Sequence, residues 1–189
     1  MKRLIILLLC CVSISMMAQA KSPEYVGSDK CKTCHNKADI GAQYDIWLKG
    51  SHVSSLETLK TDAAKAIAKK RGLKVDAVSA PECLVCHVTG WANETGYSLD
   101  VDPSNTREEK TNSDLGRIGC ESCHGPGSLY KSKKNMIGIA DGSIDGSGLG
   151  MLKITEKTCT VCHNPKSPTY KPFDFAVRVK EVSHPVPQQ

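Results

Sequence analysis

The chain has 189 residues, of which 40% are hydrophobic and only 5% aromatic, with ten cysteines and a formal charge of +5. That length suits a single domain, and so few aromatic side chains argue against a large core built from polypeptide alone. Ten cysteines are also too many for an ordinary reduced enzyme, so they need a purpose.

In chain order, the first segment is an export leader. Lys2 and Arg3 precede an apolar run, Leu4 to Val12, and a small-residue site follows at Ala18-Gln19-Ala20. That is the order of a cleavable signal peptide, and the run is too short for a membrane anchor. Leucines precede Cys10 where a lipoprotein site wants a small residue. Cleavage after Ala20 leaves one domain, 21–189, with eight cysteines and a formal charge of +3.

Within that domain, Ile40, Tyr44, Trp47 and Leu48 fall on one helical stripe stopped by Gly50, and His52 follows just beyond. Thr61 is placed to cap a helix over Asp62 to Arg71, with Lys69, Lys70 and Arg71 in its last turn and Gly72 as its stop. That basic cluster reads as a solvated face or as a docking patch for an acidic partner. Thr89 to Asp114 is polar and reads as loop with a short hairpin. Gly125-Pro126-Gly127 predicts a tight turn. Glycine recurs too often between Asn135 and Leu152 to predict a helix there, and Pro165, Pro168 and Pro172 predict an irregular stretch. Phe173 to His184 fits either a strand alternation or a helix face, with helix preferred and Pro185 as the stop.

All eight remaining cysteines lie in four copies of C-x-x-C-H: Cys31/Cys34/His35, Cys83/Cys86/His87, Cys120/Cys123/His124 and Cys159/Cys162/His163. Two thiols at this spacing can add to the two vinyl groups of one haem, and the adjacent histidine reaches its iron. The pattern is therefore the c-type haem attachment signature. Zinc sites do not require a histidine after each second cysteine, and a thioredoxin-like use needs one motif rather than four. No cysteine is left for a disulfide framework. The expected cofactors are four covalently bound haem c groups. Their flat apolar faces would supply the missing core, giving a mainly α, small, haem-cored multihaem cytochrome c fold with extensive irregular loops.

Four irons have eight axial positions, and the motif histidines fill four. His52 and His184 are the only other histidines, and Met136 and Met151 the only methionines beyond the leader. These are the candidate distal ligands. Eight propionates and four ferric irons bring the net charge to about −1, so neither nucleic acid nor an anionic membrane is expected as a partner. A compact chain of this length has a radius of gyration of about 15 Å, which forces four haems close together and suits electron relay.

The motif set resembles the tetrahaem cytochrome c-554 family from Tyr25 to Pro185. The resemblance is strongest in Gly119-Cys120-Glu121-Ser122-Cys123-His124-Gly125-Pro126-Gly127, and extends to Cys83–Trp91 with Gly96-Tyr97, to Trp47 with His52, and to the Phe173–His184 tail. It implies a last helix over that tail. It also implies that His52 lies opposite His124, that His184 lies opposite His163, and that the His87 haem is five-coordinate. The family takes the first haem's distal histidine from the loop after the third motif. This chain has Lys131, Lys133, Lys134 and Met136 there, so Met136 is expected opposite His35, with Met151 as a fallback ligand for the His87 haem. In that family the electron donor is hydroxylamine oxidoreductase, a partner that the resemblance alone does not carry over.

The expected function is an exported electron carrier working between a redox donor and acceptor in the periplasm or at the outer surface, without a transmembrane anchor. Two alternatives are a small nitric oxide-type reductase at the His87 haem and a self-associating subunit of an extracellular cytochrome filament.

Overall fold

The computed structural model describes residues 21–186. The leader, with Cys10 and Cys11, lies outside the described residues. Among these there are ten α-helices, four short 3-10 helices and no strand; about half of the residues are helical and the rest irregular. This is the mainly α architecture the sequence predicts. The longest helix has ten residues, below the length at which isolated helices hold in water, so tertiary contacts must stabilise them.

Each cysteine motif lies on or runs off a short helix. The first lies on α1 (Asp29–His35), the second on α5 (Pro81–His87) and the third on α7 (Cys120–His124). The fourth begins on α9 (Glu156–Thr160) and ends in the turn after it, where the His163 N–H still bonds the Cys159 carbonyl at 3.0 Å. The helical turn brings the two sulfurs and the imidazole of each motif to one side.

Between them, α2 (Gln43–Leu48), α3 (Ser55–Thr58) and α4 (Asp62–Lys70) form the first half of the scaffold. The expected stripe starting at Ile40 is interrupted. Gly41 and Ala42 both take left-handed backbone, so the helix restarts at Gln43. Thr61 caps α4 as predicted, its hydroxyl accepting the Ala64 N–H at 3.3 Å. The last helix, α10 (Phe175–Val182), is capped by Asp174 and settles the tail as helix.

Two helices depart from the sequence reading. In the polar stretch expected to be loop, α6 (Thr106–Leu115) forms because Asn105 caps it, its side chain taking the Glu108 N–H while Glu108 reaches back to the Asn105 amide. Only Asp114 and Leu115 of this helix are buried, so it shows no apolar stripe. No hairpin forms in this stretch. Instead the chain folds back through Tyr97 N–H to the Thr89 carbonyl. The second, α8 (Lys133–Ala140), is capped by Ser132 and contains Gly138. That glycine lets the helix approach Ile144, whose side chain a Cβ would strike at 2.6 Å, so it serves close packing rather than helix breaking.

The polypeptide core is small and lies around the second motif. Leu59, Ala64, Ala68, Ala77, Leu84 and Val88 pack together, flanked by Leu56, Leu73, Val78, Cys83, Trp91 and Tyr97. By contrast α1, α9 and α10 bury no residue at all. None of the helices of the described residues is long and apolar enough to cross a membrane.

Two buried polar side chains tie the loops to the motif helices. Thr89, just after the second motif, donates to the Arg117 carbonyl at 2.6 Å, bonds Ser122 at 2.7 Å and accepts the Gly119 N–H at 2.9 Å. Thr89→Val keeps the shape and loses all three. Stranding a buried N–H and carbonyl costs about 1–3 kcal/mol each, so the variant should be about 3 kcal/mol less stable in urea unfolding. The second tie is Glu121, inside the third motif and only 2% exposed. Its carboxylate accepts N–H groups from Val26 (3.1 Å), Gly27 (2.8 Å) and Gly127 (2.6 Å), joining three segments at the third motif.

Candidate haem centres

The four motifs are brought into a chain of neighbours. Cys31 of the first lies beside Cys120 of the third, and their proximity raises the Cys31 thiol and lowers that of Cys120. Cys123 of the third lies beside Cys159 of the fourth, and burial with that neighbour pushes its thiol up to about 11. Cys86 of the second is drawn down to about 7 by its neighbour Cys162 of the fourth. The spatial order is therefore first, third, fourth, second, which the linear sequence does not show.

The histidines form two facing pairs, each joining a motif histidine to one outside the motifs. His52 meets His163 with ring centroids 6.1 Å apart, and His184 meets His124 at 5.9 Å. These ring neighbours differ from the expected pairing of His52 with His124 and His184 with His163. The Ile118 N–H donates to the His52 carbonyl at 3.2 Å, anchoring that turn. Gln43 donates to the Pro185 carbonyl at 2.9 Å, drawing the chain beyond α10 against α2 and setting His184 beside His124. Burial lowers the pKa of His52, His124 and His163, which keeps the imidazoles in the neutral, metal-binding form.

Two imidazoles on opposite sides of one metal have centroids about 6.3 Å apart, from metal–nitrogen bonds near 2.0 Å plus half a ring on each side. Both pairs match that spacing. Among the described residues no three His, Cys, Asp or Glu side chains converge to hold a metal ion. Two opposed rings alone are the complement of a macrocycle that supplies four equatorial nitrogens itself. Apolar side chains next to the motifs are left facing outward, with Val85 48%, Leu152 53% and Val161 65% exposed, as a flat apolar cofactor requires. The residues fit c-type haem.

The remaining two motif histidines are oriented by groups the sequence reading missed. The His87 Nδ1 donates to the Ser55 carbonyl at 2.6 Å, and the Ser55 hydroxyl returns a bond to the His87 carbonyl at 2.7 Å. The His35 Nδ1 meets the Gln43 Oε1 at 3.2 Å. Each contact fixes the tautomer and leaves Nε2 free, as is usual for a metal-bound imidazole. Phe173 stacks on His163 at 4.8 Å and fixes that ring. No motif marks Gln43, Ser55 or Phe173; only the fold brings them to the histidines.

No histidine ring faces His35 or His87 among the described residues, all six histidines being placed. Met136 lies half-buried on α8. The sulfur of Met151 packs against Gly146, an ordinary packing role.

The family model described as cytochrome c554 and c-prime matches residues 30–125, which hold the first three motifs. Cytochrome c-554 of Nitrosomonas europaea is 30% identical over 123 residues, 64% of this chain and 46% of that protein. The chain thus spans about half the length of the curated relative it matches. A solved structure, the reduced state of cytochrome c554 from Nitrosomonas europaea, is similar with a TM-score of 0.55 at 28% identity, covering 85% of this chain and 79% of that one. That likeness extends over more of the chain than the family model does. With just over half of its length matched by the family model, the chain belongs to the cytochrome c554 and c-prime family.

Proposed function

We propose that the chain is an exported electron carrier holding four haem c groups. Residues 1–20 act as its cleaved leader, and it works in the periplasm or at the outer surface between a redox donor and acceptor. The observation that carries the reading is the pair of opposed histidines, His52 with His163 and His184 with His124, each at the spacing of two ligands on one iron.

Cys31, Cys34, Cys83, Cys86, Cys120, Cys123, Cys159 and Cys162 anchor the groups, and His35, His87, His124 and His163 supply the proximal nitrogens. Bound haem supplies one-electron iron chemistry and a conjugated edge for tunnelling. The thiol contacts support a relay in the order first, third, fourth, second motif. Met136 is the proposed partner of His35. His87 keeps an unpaired position, and this supports a second reading: binding of a small molecule such as nitric oxide there, with reductase activity as a side reaction.

A haemochrome assay should find four haems per chain, and an EPR-monitored redox titration should resolve four one-electron steps with a high-spin ferric signal from the His87 site. Fewer haems per folded chain overturns the carrier reading, and four low-spin signals overturn the open site. Gln43 supports the electronics of His35. Its contact is worth about 1 kcal/mol as an ordinary hydrogen bond, or about 40 mV for one electron. Gln43→Leu should therefore raise that haem's potential by at most about this amount in the same titration.

A further inference from the structure

We propose that Asp114 is a proton-binding site coupled to the haem held by Cys31 and Cys34, so that this end of the carrier moves a proton with its electron. The inference rests on the haem reading of the first motif and adds a second cargo to it.

Asp114 lies near the end of α6, only 5% exposed. Its Oδ2 accepts the Asp29 N–H at 2.8 Å, two residues before Cys31. Its Oδ1 is buried and has no hydrogen-bond partner. Buried carboxylate oxygens are normally satisfied, so an orphaned one is a ready seat for a proton. Gly27 covers the carboxylate so closely that a Cβ there would collide with it. The nearest cation, Arg117, stands 3.6 Å from Oδ1, beyond hydrogen-bonding reach, and its guanidinium is drawn over the Trp47 ring at 5.9 Å.

The charged groups around Asp114 are mixed. From α1 comes the Asp29 carboxylate, itself bonded by the Tyr44 hydroxyl at 2.8 Å; from α7 comes Glu121. Lys110 and Arg117 oppose them from its own side. Burial is the largest influence and pushes the Asp114 carboxyl above the ordinary carboxylate range. The Asp29 N–H bond seats the carboxyl beside the first motif, so charge at Asp114 and charge on a cofactor anchored at Cys31 would influence each other.

When the donor's electron converts Fe(III) to Fe(II), the site loses one positive charge and the carboxylate binds a proton from solvent: COO⁻ and H⁺ become COOH. The proton enters past Arg117, whose side chain is 29% exposed. No bond in the chain breaks, and both charges leave on reoxidation. By linkage, a proton that binds more tightly to the reduced state raises the reduction potential. The carboxyl pKa is higher in the reduced than in the oxidised state. Between the two values the potential falls as pH rises, by at most about 59 mV per tenfold change in proton concentration; outside them it is flat.

The test is a spectroelectrochemical titration of the four-haem protein across about pH 4 to 9, with the first-motif haem identified by NMR. Wild type should show a sloping potential at that haem and a protonated-carboxyl infrared band that grows on reduction. Asp114→Asn should flatten the slope and remove the band. A slope and band that persist in Asp114→Asn overturn the proposal and assign the proton to another group, such as a propionate. Arg117→Met keeps the test decisive if the asparagine variant fails to fold. Losing the guanidinium should move the sloping window to higher pH, and an unmoved window overturns the proposal. A haemochrome count separates the two failures: four haems without a slope sink only the proton site, whereas a missing first-motif haem sinks the reading beneath it.

Discussion

Replacing Glu121 by alanine should be the most destabilising single substitution outside the cysteines and histidines, costing about 4 kcal/mol. Three backbone N–H groups, the buried ones of Gly27 and Gly127 and the half-buried one of Val26, lose their acceptor, at about 1–3 kcal/mol each. Relief from burying a carboxylate offsets part of that sum. The residue joins the segment before α1 to the turn after α7, so the loss should appear first as a reduced haem content at the first and third motifs. Glu121→Gln keeps one acceptor oxygen and should lose about half as much. Burial raises the Glu121 carboxyl above its ordinary value, against the lowering by the three N–H groups. Its contribution to stability is therefore fullest in acid and is lost as pH rises through the folded-state value. Urea unfolding of the holoprotein at several pH values measures both effects; an alanine variant within 1 kcal/mol of wild type would remove Glu121 from this role.

His52 and His184 should have the largest effects on the redox properties. His184→Ala is expected to turn the haem attached through Cys120 and Cys123 from low-spin to high-spin, and His52→Ala to do the same at Cys159 and Cys162. Methionine at either position should keep the iron low-spin and raise its potential by on the order of 0.1 V, because a thioether favours the reduced iron more than an imidazole does. Contacts in NMR from the haem substituents to the attaching cysteines identify which haem has changed. If His184→Ala instead altered the haem at Cys159, the ring pairs at 5.9 and 6.1 Å would not report ligation.

How much of this was legible beforehand differs from residue to residue. The four motifs and the family resemblance stand in the linear chain, because covalent haem attachment needs two cysteines and a histidine at one local spacing. The Thr61 cap and the last helix were legible for the same reason: capping and helical periodicity act within one or two turns. Two helices were hidden for different reasons. In α6 the only buried residues are Asp114 and Leu115, side by side at its end, so no stripe marks it. In α8 a glycine that reads as a breaker is a packing contact with Ile144, a residue outside the helix.

The candidate site divides along the same line. The linear chain already displays the proposed haem-binding groups: eight cysteines in four C-x-x-C-H motifs, the histidine of each, and His52 and His184 as the only other histidines. Only the folded chain shows which histidine rings are neighbours, His52 with His163 and His184 with His124. It also decided that the motifs are ordered first, third, fourth, second, and that Gln43, Ser55 and Phe173 hold the imidazoles. Attachment chemistry is local, whereas the meeting of two histidine rings is a contact between segments up to about 110 residues apart, which no spacing rule encodes.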